Sequence, residues 1–508
     1  MQRLVSRELL AAVILLSPLS ALAQSPADLP LLSLSDFEYA GAFRLPADQF
    51  GSSSLNYSEG PIEYNPARNS IYIVGHNHHQ EIAEFQVPEL VQSTELEDLN
   101  MAGAPLQQFS DSVLGRASQG NSQNINRIGG LRLISGALVV NAYEYYDADG
   151  NANHTTLVVR DADSLDTSAV NGYYSFMGGA GHTSGWISPV PSEWQSLVGS
   201  AYITGQSSGI PIISRTSVGP SAFAFDPASL LDSGPGEVPT VRLLDFSLDN
   251  PLHSDLSNDS RSNDAWTHLS RATYGFIAPG SRTYVTIGSS GGHNSGVCYK
   301  CTPSGASQAC GGYCARNVND NNKYYWLWDV NDLVAVKAGQ KASHSVRPYE
   351  YGVFPAPFNS DSIGGGSFDP ASGLLYLSVQ GADDGQGAYS NPPVIVAYRF
   401  NPDPGNGGGG GGGGGGSPKS AIIGRAGNFK LLCVEEGQIN MVRFDKLSQE
   451  GELRTASDAI TFIKKKLAKA RAGLSLSSKR DLMKKRYRSL KRVLRKTRKC
   501  STGSLPLS

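Results

Sequence analysis

One outline recurs along most of this chain: a strand, a tight turn, a β-branched strand, a loop, then a third strand. It appears as SEGPIEYNPARNSIYIVGHNHHQEIAEFQV (58–87), NRIGGLRLISGALVVNAYEYYDADGNANHTTLVVRD (126–161), SRATYGFIAPGSRTYVTIGSSGGH (270–293) and SIGGGSFDPASGLLYLSVQG (362–381), with a weaker copy from Gly199. No long helical periodicity interrupts these segments, and turn residues separate them, as in all-β architectures. Antiparallel units of this size suit radial repetition, which leaves few strand edges exposed. The spacing leaves room for six to eight blades, and the expectation is a seven-bladed β-propeller over residues 24–404. A β-sandwich with long insertions is the rival.

Ten consecutive glycines, Gly407 to Gly416, end this body. Polyglycine has no side chains to pack and behaves as a flexible coil, so 405–416 reads as a linker. The 92 residues beyond it hold 23 Lys+Arg against 7 Asp+Glu, a net charge of about +16, within a chain whose total is −2. The larger part is therefore acidic and the tail strongly basic, which points to a polyanionic partner for residues 417–508. The tail reads as a small basic α/β module: short strands near IIGRAGNFKLLCVEEGQINMVRF, then one or two basic amphipathic helices.

Arg3 and Arg7 precede an apolar stretch from Leu9 to Leu16, and Ala21-Leu22-Ala23 offers a small-residue cleavage site before Gln24. Residues 1–23 thus read as a secretion signal, and the apolar run is too short for a membrane span. Outside the cell, a basic module meets acidic polysaccharide rather than nucleic acid. A monomer is expected.

The outline also assigns faces, because the start of a blade's first strand and the end of its second lie on the same side. Arg127 and Arg271 fall near first-strand starts; His76, Tyr143, Tyr145 and His293 fall near second-strand ends. His154 closes the long loop YEYYDADGNANH, and His182 lies in the glycine-rich GGAGHTSGW. This face collects Arg, His and Tyr, without an evident pair of carboxylates. Glycoside hydrolysis generally requires such a pair. Elimination next to a uronate instead needs a cation to neutralise the carboxylate, a base for the adjacent proton and an acid for the departing oxygen. Arginine suits the first role, and histidine or tyrosine the others.

Cys298-x2-Cys301 and Cys310-x3-Cys314 lie within seventeen residues, with His293 just ahead. Two close pairs can surround a tetrahedral zinc ion and fold a loop without its own apolar core; two disulfides are the alternative in an oxidising compartment. His293 is an alternate ligand, a fifth candidate for the four positions. Cys433 and Cys500 bracket most of the basic module and read as a disulfide closing a long loop. DADGN at 147–151 carries the opening of a calcium loop, but Val158 stands where an EF-hand requires Glu, so calcium is weakly supported.

Taken together, the secretion signal, repeated β-segments, Cys298–Cys314 cluster, polyglycine linker and basic module resemble the ulvan lyases of polysaccharide lyase family 24, in the long form with a C-terminal ulvan-binding domain. The resemblance covers essentially the entire chain. It implies a seven-bladed propeller that cleaves ulvan, a sulfated rhamnose and uronic-acid polymer, by β-elimination. It further implies His154 and His182 as general base and acid, Arg271 as carboxylate neutraliser, structural zinc on the cysteine cluster, and substrate contacts from Arg127, Tyr143, Tyr145, Asn153 and His293. A non-catalytic glycan-binding propeller and a hydrolase of the same substrate are the competing readings.

Overall fold

The computed structural model describes residues 25–206, 217–387 and 389–400, four strands between 421 and 455, and Lys464. The expected secretion signal (1–23), the polyglycine linker, the expected basic helices and Cys500 lie outside the described residues. The chain divides into two compact units, Met1–Gly407 and Gly408–Ser508.

Among the described residues the first unit is a β-propeller of five blades rather than the seven expected. Its innermost strands are Ile62–Asn65, Arg127–Ile134, Ile187–Pro189, Arg271–Ile277 and Ile363–Asp369, each neighbouring the next so that the ring closes. The blade count falls short because long excursions use up chain without adding sheets. Residues 245–270 join two blades without contributing a strand, and 292–320 carry only a two-stranded hairpin, Val297–Tyr299 with Tyr313–Ala315. The last blade is completed by the first strand of the body: Phe37–Arg44 pairs antiparallel with Val394–Phe400.

Strand composition follows from this arrangement. A middle strand of a blade is covered on both faces by neighbouring blades, so it reads as a continuous apolar run instead of an alternating one. Ser70–Val74, Ala137–Tyr143 and Leu374–Val379 are buried at every position. The hairpin from Ile134 to Ala137 turns through Ser135 and Gly136, both at positive φ, the geometry that two-residue hairpins favour.

Near the axis, glycine is required for close approach. A Cβ on Gly129 would stand 2.2 Å from the carbonyl oxygen of Ser184, and one on Gly364 would stand 2.2 Å from that of Glu59. The Gly-Gly pairs of RIGGLRL and SIGGGSF thus receive the backbone entering the next blade. Both coincide with a register shift, at Ile128/Gly130 and Ile363/Gly365. The bulge bends each inner strand at the same height.

In the second unit, Ala421–Ala426, Phe429–Glu435, Gln438–Arg443 and Glu452–Thr455 form an antiparallel sheet in chain order.

Candidate active site on the axial face

Arg127 and Arg271 are the first residues of their inner strands, and Tyr143, paired across from Arg127, is the last of its strand. The fold brings these groups together as the outline expects. Tyr143 is buried, which pushes its phenol pKa up; Arg271 and Arg127 oppose that shift, while the Glu59 carboxylate and Tyr145 reinforce it. Arg271, Glu59, Arg127 and Tyr145 thus stand near enough to Tyr143 to act on its charge. Arg127 also stacks its guanidinium on the exposed Tyr145 ring, 5.3 Å from the centroid, and donates to the Asn126 carbonyl at 2.8 Å. Glu59 is the member that sequence reasoning missed. It sits just ahead of the strand Ile62–Asn65, a position comparable to that of the arginines on their blades.

The two histidines occupy separate settings. His182 lies in the short helix Ala180–Thr183, and its Nδ1 stands 2.6 Å from Asp245 Oδ1, with both side chains largely buried. Arg242 Nε approaches the other oxygen of Asp245 at 3.3 Å. Asn141, two residues before Tyr143, donates to the carbonyls of Thr183 and Gly185, each at 2.9 Å, and so ties the His182 segment to the strand that ends at Tyr143. The Asp245 carboxylate thus stands beside one ring nitrogen of His182, without the alignment of a hydrogen bond. Asp245 carries no repeat signature and was likewise missed.

His154 is exposed, just ahead of the third strand of its blade, Thr156–Val159. Its backbone N–H donates to Gln123 Oε1 at 2.8 Å, and its Nδ1 contacts Asn153 Oδ1 at 2.7 Å. It lines a shallow pocket with Gln119, Asn121, Gln123, Ile125 and Tyr173.

His293 has both ring nitrogens engaged, Nε2 with Ser290 Oγ at 2.6 Å and Nδ1 with the Asn263 carbonyl at 3.0 Å. Its ring stacks on Tyr324, and burial lowers its pKa. These contacts tie His293 to Ser290, Asn263 and Tyr324 at the root of the 292–320 excursion.

The cysteine hairpin pairs Cys298 opposite Cys314, and its four cysteines form two disulfides, Cys298–Cys301 and Cys310–Cys314. Cys314 Sγ stands 3.8 Å from the sulfurs of both Cys298 and Cys301. Tetrahedral zinc with bonds of about 2.3 Å sets its ligand sulfurs about 3.8 Å apart. When reduced, Cys298, Cys301 and Cys314 could hold a metal. In the DADGN loop the Asp147 carboxylate accepts from the backbone N–H groups of Asn151 and Ala152. Cys433 lies on Phe429–Glu435, and its proposed partner Cys500 is outside the described residues. Among the described residues, no helix is long and apolar enough to cross a membrane.

No protein-family model and no curated protein matches this chain. Among solved structures, it is similar to Sqt1 from Chaetomium thermophilum at 9% identity, over 83% of this chain and 76% of that one, with a TM-score of 0.26.

Proposed function

We propose that this chain is a secreted, endo-acting lyase that cleaves ulvan, or a related sulfated uronate polysaccharide, by β-elimination. The observation that carries the proposal is the meeting of Arg127, Arg271 and the buried Tyr143 on the axial face. An elimination site needs fixed positive charge beside a neutral proton donor. Arg271, aided by Arg127, pairs with the uronate carboxylate and stabilises the charge that builds on it as the C5 proton departs. His182, beside Asp245, accepts that proton. The electron pair of the C5–H bond becomes the C4–C5 double bond, and the C4–O bond breaks toward the leaving sugar. Tyr143, kept protonated by burial, donates to that oxygen. His154 and Asn153 contact the polymer in the neighbouring pocket.

The basic second unit retains the polymer by charge, and the reduced cysteine hairpin takes a structural zinc ion. Mixing the mature protein with ulvan and following ultraviolet absorbance together with reducing ends tests the reaction class. Both rising marks an unsaturated uronyl product. Reducing ends alone would mean hydrolysis, and binding without either would mean a lectin.

A further inference from the structure

The loop between the second and third strands of the first blade carries His76, His78 and His79, and no step above uses them. Their rings gather around His76: the His79 ring lies 4.9 Å away, centroid to centroid, and the His78 ring 5.4 Å. Tyr57, itself 51% exposed, meets the His76 ring edge to face at 5.6 Å. His78 and His79 are exposed, so the cluster opens to solvent. Two ring nitrogens are already engaged, His76 Nδ1 by the His78 N–H at 3.2 Å and His79 Nδ1 by Ser53 Oγ at 3.0 Å, which argues against a shared metal ion.

The loop is held rigidly beside the arginine–tyrosine cluster. Gln80 spans it, donating to the Asn77 carbonyl at 2.7 Å and accepting from the Ile128 N–H at 2.5 Å, next to Arg127. Asn77 donates to Glu59 Oε1 at 3.3 Å, and Glu59 belongs to the Tyr143 cluster. A polymer seated over Arg127 and Arg271 can therefore extend across the histidines.

We propose that His76, His78 and His79, with the exposed Tyr57 beside them, form a second subsite for a sulfate or carboxylate group of an anionic polysaccharide, and that this subsite tightens as the pH falls. The identity of the polymer rests on the function proposed above; the anion chemistry does not. Burial and the two neighbouring imidazoles lower the pKa of His76, because each opposes another positive charge. A bound anion reverses that repulsion, so binding and protonation favour each other. The other charged groups nearby are Glu59, held by Asn77; Glu81, which accepts from Ser52; Asp111, next to the Ser112 that donates to the Gln80 carbonyl; and Arg127. The lysines and arginines of the second unit do not titrate near neutrality, so they contribute equally at both pH values compared below.

The test measures binding isotherms of full-length protein for ulvan, and for the same polymer after chemical desulfation, at about pH 6 and about pH 8, a window that spans histidine titration. The variant is the double substitution His78→Gln, His79→Gln, in which the new amide at the second position can still reach Ser53, the present partner of His79 Nδ1. The wild type should bind several-fold more tightly at the lower pH, and the variant should lose roughly three- to tenfold of its affinity there with little change at the higher pH. Loss confined to the sulfated polymer assigns the subsite to sulfate, and loss with both assigns it to the uronate. Equal affinities for wild type and variant at both pH values overturn the proposal. A histidine-dependent difference without ultraviolet product keeps the subsite and sinks the lyase; product without that difference does the reverse.

Discussion

Arg132 Nη1 reaches from the second blade to Glu63 Oε1 on the first, 3.1 Å away, with both side chains nearly sealed from water. The same carboxylate accepts from the Leu133 N–H at 3.1 Å and from Ser367 Oγ of the last blade at 2.9 Å. Three of the five inner strands are thus stapled through one buried acid. Burial raises the Glu63 pKa, and Arg132 is the foremost influence lowering it.

Removing one partner should cost more than removing both. Glu63→Ala leaves a buried guanidinium uncompensated and should lower unfolding free energy by about 3–5 kcal/mol, whereas Glu63→Met with Arg132→Met should recover most of that loss. Chemical denaturation of wild type and both variants decides it; a double variant as unstable as the single one would show that the pair holds the axis by more than mutual neutralisation.

Arg271→Ala should depress kcat/KM by at least about 10²-fold, because the charge developing on the uronate loses its fixed counter-ion. Tyr143→Phe should act mainly on kcat, by about 10²-fold or more, since it removes a proton while preserving the ring. Steady-state ultraviolet assays measure both, and full activity in either variant removes that residue from the chemistry.

Asp245→Asn leaves the His182 ring in place but withdraws the charge behind it. The expected outcome is a kcat lower by about tenfold or more, read in the steady-state ultraviolet assay. His154→Ala should instead raise KM. The opposite assignment, with His154 dominating kcat, would return it to the role of base.

The cysteine hairpin can be a metal clip or a pair of disulfides, and thiol counting separates them. If zinc is bound, metal analysis gives about one ion per chain, and chelation under denaturing conditions frees the Cys298, Cys301 and Cys314 thiols. A protein with no releasable thiol and no zinc is the disulfide form, and reduction alone would then loosen the hairpin.

A chain ending at Pro404 should cut soluble polymer at the full-length kcat within about twofold, while losing retention on insoluble ulvan by about 10²-fold. Unchanged retention would dismiss the basic unit as the anchor.

The axial face is legible in the sequence because the blade outline fixes where strands begin and end. Arg127, Arg271 and Tyr143 follow from that outline alone, and each stands at the strand end it implies. The number of blades is not legible, since chain length measures blades only when the connections are short. Residues 245–270 and 292–320 have the turn-rich composition of short-strand sheet and the length for it, yet they serve as packing arms. Glu59 is hidden by its small neighbours in SEGP, although its place ahead of a first strand is an available signal. Asp245 follows an outer strand, the least regular part of the outline, and only three-dimensional closure sets it against His182.

The pairing of Phe37–Arg44 with Val394–Phe400 has a mechanical consequence. Tension carried along the chain from beyond residue 400 enters the body through a strand with neighbours on both sides, Phe37–Arg44 and Leu374–Val379. Pulling along that strand shears two ladders of hydrogen bonds at once, where an edge strand would peel from one partner bond by bond. A body tethered to a fixed surface and dragged by flow would hold its shape at the point of attachment.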